Sequence, residues 1–151
     1  TLYRYFPNKE SLLHAYMAAV AQDFNAVLQD RLERLPSLGD RLVEAVAVSV
    51  ELIRERQDVA PFFSEEDLGL TAQLTAGGSA SMRERLAKQI AKESRSKRIE
   101  GRLRRGVSAD EAAEWLTRAI LSFSFIPGEQ RSPATLRRYL KKMLIPALIA
   151  E

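Results

Sequence analysis

Apolar residues recur every three or four positions through nearly all of this chain, and no segment shows a convincing run of the strict alternation that a half-buried strand requires. That periodicity predicts an all-α fold. From Lys9 to about Leu35, the residues Leu13, Met17, Val20, Phe24, Val27 and Leu28 form one amphipathic stripe, closed by Leu35-Pro36-Ser37. Asp40 is placed to cap a second helix, whose Leu42, Val43, Val46, Ala47, Val50 and Ile53 make an apolar face wide enough for burial on more than one side.

The punctuation between helices is equally marked. Asp58 to Phe63 reads as a short break, and Ser64-Glu65-Glu66-Asp67 as a helix start with acids where the helix dipole favours them. Gly77-Gly78 is expected to end that helix, with Ser81 and Glu84 restarting the chain as a capping box ahead of Met82, Leu86 and Ile90. A second capping box, Ser108 and Glu111, opens a helix with the stripe Ala112, Trp115, Leu116, Ala119, Ile120 and Phe123, stopped by Pro127-Gly128. Ser132-Pro133 then supplies an N-cap and a proline at the first helical position. The stripe behind it is Leu136, Leu140, Met143, Leu144, Ala147 and Leu148, with Pro146 expected to kink the last turn.

At 151 residues and 46% hydrophobic, the chain is long enough to bury one sizeable core. It has no cysteine, hence no disulfide framework and no thiolate chemistry. The most apolar stretch, Ala45 to Ile53, is interrupted by Glu51 and falls well short of the ~20 residues that span a bilayer, and Thr1 opens no secretory leader, so a soluble chain with no membrane partner is expected. From Arg83 to Arg105 ten basic residues face three acidic ones, which puts the positive charge of the molecule in one segment. Without interleaved aromatics that segment reads as a solvated helical face rather than a nucleic-acid surface; the alternative is that Arg95, Lys97, Arg98 and Arg102 draw an anionic head group to a pocket mouth.

Nothing in the sequence recommends catalysis. His14 is the sole histidine and sits on a helix beside Leu12-Leu13, where a packing or surface role fits better than that of a base or ligand. Glu65, Glu66 and Asp67 are consecutive, so on a helix they point apart, and Gly77-Gly78 lacks the lysine and spacing of a phosphate-cradling turn. No enzyme activity, metal or cofactor is expected.

The first thirteen residues are the most informative. Leu2 and Phe6 lie on one helical face, while Thr1, Tyr3 and Arg4 offer a hydroxyl, a phenol and a guanidinium to a polar, anionic partner. Pro7 ends that helix, and Asn8 caps a new one that begins with Lys9. A cation at a helix start opposes the helix dipole, at about 0.3–1 kcal/mol, yet with the free N–H groups of the first turn it makes a phosphate clamp. The pattern Thr1-Leu2-Tyr3, Phe6, Lys9 and Leu12 resembles the recognition-helix signature of TetR-type (tetracycline-repressor-like) transcriptional regulators.

The resemblance is residue-specific over Thr1 to Leu13 and architectural over the rest. It implies a TetR-like fold in which residues 1–13 are the end of a helix-turn-helix DNA-binding domain and the start of a connecting helix, and residues 14–151 are a helical ligand-binding and dimerisation domain. It further implies a cytoplasmic repressor released by a hydrophobic small molecule, with Thr1, Tyr3, Arg4, Tyr5 and Lys9 meeting operator DNA. About two helices and half of the recognition helix would precede Thr1, so the chain as it stands is expected to bind DNA weakly or not at all. The effector pocket is expected among Val46, Val50, Phe62, Phe63, Leu86, Trp115 and Phe123. A two-fold homodimer is expected through Ala112, Leu116, Ala119, Leu136, Tyr139, Leu140 and Met143 on the last two helices. The competing readings are a helical small-molecule-binding or dimerisation module with no DNA role, and an α-helical enzyme with its site near Phe62 and Trp115.

Overall fold

The computed structural model describes residues 9–55, 68–126 and 128–150, part of α1 and the first half of α3 by their backbone alone. Five helices follow in order: α1 Lys9–Glu33, α2 Leu38–Glu55, α3 Leu68–Arg95, α4 Ala109–Phe125 and α5 Pro133–Leu148. Among the described residues there is no strand, only two isolated bridges, so the all-α expectation holds.

The centre of the molecule is α2, which packs on α1, α4 and α5, while α3 packs on α4. Its sequence explains the position. Leu42, Val43, Val46, Ala47 and Val50 enter the main core with Ile90, Leu116, Ile120, Leu140 and Leu144, and Ala45 and Val48 turn the other way to meet Leu28 and Leu32 of α1. A helix apolar on both sides has to be interior, and each leucine fully withdrawn from water stabilises the fold by about 1.5–3 kcal/mol. In α1, Leu28 and Leu32 carry the buried stripe and Val27 is left exposed.

Local signals set most of the boundaries. The capping box of α4 forms as the sequence predicts: Ser108 Oγ accepts from Glu111 N (3.1 Å) and Ser108 N donates to the Glu111 carboxylate (2.8 Å). Ser132 caps α5, with Pro133 in its first turn. Two expectations are corrected. The residue capping α2 is Ser37, whose Oγ accepts from Asp40 N (3.0 Å) and donates to Asp40 Oδ2 (2.8 Å); Asp40 sits one turn inside, where its charge complements the dipole. And α3 runs unbroken through Gly77-Gly78. Each glycine costs a helix only about 1 kcal/mol relative to alanine, and without a proline nearby that does not outweigh continuing the helix.

The loop between α3 and α4 is stitched on both sides. Leu38 N donates to Glu100 O (2.7 Å) and Glu100 N to Pro36 O (2.9 Å), while Arg104 N donates to Leu148 O (2.8 Å) and Ala150 N to Arg102 O (2.9 Å). Gly101 and Gly106, at φ 84° and 88°, supply the left-handed turns that this path needs.

Candidate functional site

Thr1, Tyr3, Arg4 and Tyr5 lie outside the described residues, as do Phe62 and Phe63. Lys9 is the first described residue of α1. The helix carries 25 residues and so separates Lys9 from the α1–α2 turn by about 37 Å.

Of the residues expected to line an effector pocket, four come together. Val46 and Val50 are fully buried, and Leu86 and Phe123 pack against the same cluster. Trp115 does not join them: it is 41% exposed. The buried face of α4 is rotated from the predicted stripe to Ala112, Ala113, Leu116, Thr117 and Ile120. Small Ala113 and Thr117 let α4 approach its neighbours closely, and Thr117 can be buried because its hydroxyl donates to Ala113 O (2.8 Å). That turn of the helix leaves the larger indole outside.

The residues expected at a dimer interface divide in the same way. Ala112, Leu116, Leu136 and Leu140 are at most 2% exposed because they fill the chain's own core, so they offer a partner no surface. Ala119 and Tyr139 are half-buried, and Met143 is 50% exposed. Trp115 and Ile126 share the outer side of α4 with Ala119, spaced four and seven residues apart, while Tyr139 and Met143 share one side of α5. The ring of Tyr139 meets Phe123 edge-on at 6.0 Å and carries the Arg131 guanidinium 4.4 Å above its centroid, which fixes its orientation.

Two charged constellations were not anticipated. Arg137 of α5 grips Glu44 through two hydrogen bonds (2.7 and 2.8 Å) and also reaches Glu51 (2.5 Å), with Arg31 of α1 3.7 and 3.6 Å from the same carboxylates. Hydrogen bonds from Arg137 hold Glu44 below the usual carboxylate range, against the opposing effect of burial. The second is Arg41 with Glu93: Arg41 Nη1 donates to Glu93 Oε1 (2.9 Å), Nε donates to Leu35 O (2.7 Å), and Gln89 Nε2 also donates to Glu93 (2.6 Å). A signal for the first set was available. Glu44 and Glu51 are two turns apart in the stretch Leu42 to Ile53, which is otherwise apolar but for Ser49, so both acids had to meet cations from packed neighbours.

Clefts open at the surface of the described residues, two of which bear on the charged constellations. One, about 410 Å³, is lined by Glu33, Arg34, Leu35, Pro36, Arg41, Ser96, Arg98 and Ile99. The other, about 180 Å³, lies between α2 and the start of α5, lined among others by Val50, Arg54, Arg131 and Pro133. Among the described residues no group of carboxylates and histidine could hold a metal, and no helix is long and apolar enough to cross a membrane. Comparison with known proteins finds no matching family model, no matching curated protein and no matching solved structure.

Proposed function

We propose that this protein is a TetR-type, ligand-responsive DNA-binding regulator, acting in the cytoplasm as a repressor released by a hydrophobic small molecule. The observation that carries the reading is the Thr1 to Leu12 pattern, in which a polar recognition face, a proline turn and a lysine at the next helix start occur in register. The long helix that begins at Lys9 and the all-α body behind it are compatible with that reading.

In this proposal Tyr3 and Lys9 contact phosphates, Thr1 with Arg4 or Tyr5 approaches base edges, and an apolar effector enters between α2, α3 and α4 beside Val46, Val50, Leu86 and Phe123. The homodimer is built on the exposed sides of α4 and α5, through Trp115, Ala119, Ile126, Tyr139 and Met143.

Binding of the full-length protein to DNA tests the assignment. Lys9→Ala is expected to weaken binding to all sequences alike and to lower the salt slope by about 1 unit. Unchanged affinity and unchanged salt dependence would remove the clamp role of Lys9, whereas no binding of the full-length protein to any DNA would favour a helical binding module without a DNA role.

A further inference from the structure

We propose that the cleft between the α1–α2 turn and the loop after α3 binds a small organic phosphate, its oxygens taken by Arg41 and Arg98 and its apolar body laid on Leu35, Pro36 and Ile99. At about 410 Å³ the cleft falls within the ~300–1,000 Å³ range of small-molecule sites. This site is separate from the apolar core region beside Val46 and Phe123 and does not depend on a DNA role.

The first observation is the state of Arg41. Its side chain is only 13% exposed, and two of its three nitrogens are already engaged: Nε by Leu35 O and Nη1 by Glu93, itself 4% exposed and further fixed by Gln89. The guanidinium is therefore held in one orientation at the cleft wall, and among the described residues Nη2 has no hydrogen-bond partner. A donor fixed in advance loses little side-chain entropy when an anion arrives.

A second observation is the charge that surrounds it. Between Arg95 and Arg105 six basic residues accompany one acidic residue, Glu100. Arg98 lines the cleft and is exposed, and among the described residues its guanidinium has no hydrogen-bond or ion-pair partner. Ser96 Oγ accepts a long bond from Arg98 N (3.3 Å) and, among the described residues, donates its proton to no acceptor, so it can donate to a ligand. So concentrated a positive field favours a dianion over a singly charged carboxylate. Glu33, which also lines the cleft, repels an anion, so the phosphate is assigned to Arg41 and Arg98.

The backbone keeps the cleft open in a single shape. The Leu38–Glu100 and Glu100–Pro36 hydrogen bonds tie its two walls together, and Ile99 N closes a turn on Ser96 O (3.4 Å). The cleft is thus a preformed feature rather than a gap between loose loops.

Titration of the chain with phenyl phosphate, inorganic phosphate and benzoate, followed by calorimetry, tests the proposal. Phenyl phosphate is expected to saturate one site per chain, about tenfold tighter than inorganic phosphate because of its ring, and tighter than benzoate because of its charge. Arg98→Ala, which removes no guanidinium hydrogen bond or ion pair seen among the described residues, should weaken it at least about fivefold. Arg41→Lys, which keeps a cation for Glu93 but loses the fork, should do the same with the melting temperature little changed. Arg105→Ala, in the same basic loop but outside the cleft, should alter binding less than about twofold. Absence of saturation, inorganic phosphate binding as tightly as phenyl phosphate, or an equal loss in Arg105→Ala would each overturn it, the last by showing diffuse charge attraction only.

Discussion

Arg137 and Glu44 face each other across the α2–α5 contact in a two-pronged pair, Nε to Oε2 at 2.7 Å and Nη2 to Oε1 at 2.8 Å, with about a quarter or less of each side chain exposed. Their separation in sequence makes the pair a tertiary contact, one that closes the bundle around α2. Arg137→Ala would leave Glu44 and Glu51 with only the more distant Arg31, and a loss of about 2 kcal/mol is expected in urea unfolding.

The same pair makes an acid-dependent contribution to stability. Glu44 is held below its ordinary value of 4.5, first by its hydrogen bonds from Arg137, and Asp40 below 3.8, first by Lys141. A carboxyl whose folded value is depressed stabilises the fold fully above its unfolded value and loses that contribution as pH falls through the folded one. Stability is therefore expected to fall as pH drops below about 4.5, and the fall should be shallower in Arg137→Ala. Parallel melting curves of the two proteins from neutral pH to pH 3 check this; equal slopes would show that Glu44 titrates normally.

The interface prediction separates two neighbouring leucine-stripe positions. Met143→Glu, at an exposed site, should convert a species near twice 17.0 kDa to one near 17.0 kDa with the helix content kept. Leu140→Glu puts a charge at a 1% exposed site and should unfold the chain, a cost above about 4 kcal/mol. Sedimentation with circular dichroism distinguishes the two outcomes. Trp115 gives an independent reading, because covering its exposed indole should shift its emission to the blue as concentration rises; a wild-type monomer would end the dimer proposal.

Glycine positions provide a contrast within one chain. At Gly39, in the first turn of α2, an added Cβ meets Ile145 at 3.4 Å, an ordinary contact, and Gly39→Ala should be neutral or stabilising by up to about 1 kcal/mol. At Gly101 and Gly106 the positive φ makes alanine strained, and a loss of about 1 kcal/mol is expected even though Gly106 has open space around it. Thermal melts of the three variants should order them in that way.

Removing the Ser108 hydroxyl tests the best-formed cap. Ser108→Ala deletes the acceptor for Glu111 N and one of the two donors to the Glu111 carboxylate, leaving the bond from the backbone N of residue 108, and a loss of about 1 kcal/mol is expected. A melting temperature equal to that of the wild type would mean that α4 is held by its buried face alone.

Helix identity and most helix ends were legible because they depend on neighbours in sequence: Ser108 with Glu111, Ser132 with Pro133, and the four-residue row Leu136, Leu140, Leu144 and Leu148. Which way a helix faces was less legible. The choice between Trp115 and Ala113 for the inner side of α4 rests on how closely its neighbours approach, a fact about distant segments. Likewise, the acids of α2 announced a need for cations, while the identity of Arg137 as the answer required the fold. Of the candidate sites, the motif at Thr1 to Leu12 was readable from residue types alone, whereas the Arg41–Arg98 cleft arises from two turns brought together by backbone pairing.

The position of α2 between partners from opposite ends of the chain has a consequence for biosynthesis. Its Leu42, Val46 and Val50 leave the ribosome long before α4 and α5 exist to cover them. At about 5–20 residues per second the wait until Leu148 is on the order of 5–20 s. For that interval α1 can shield the helix on its Ala45–Val48 side and α3 can offer Ala87 and Ile90 to its main-core side, while every core residue of α4 and α5 is still missing. Nascent chains halted after α3 should accordingly recruit holding chaperones, and release should coincide with synthesis of α5.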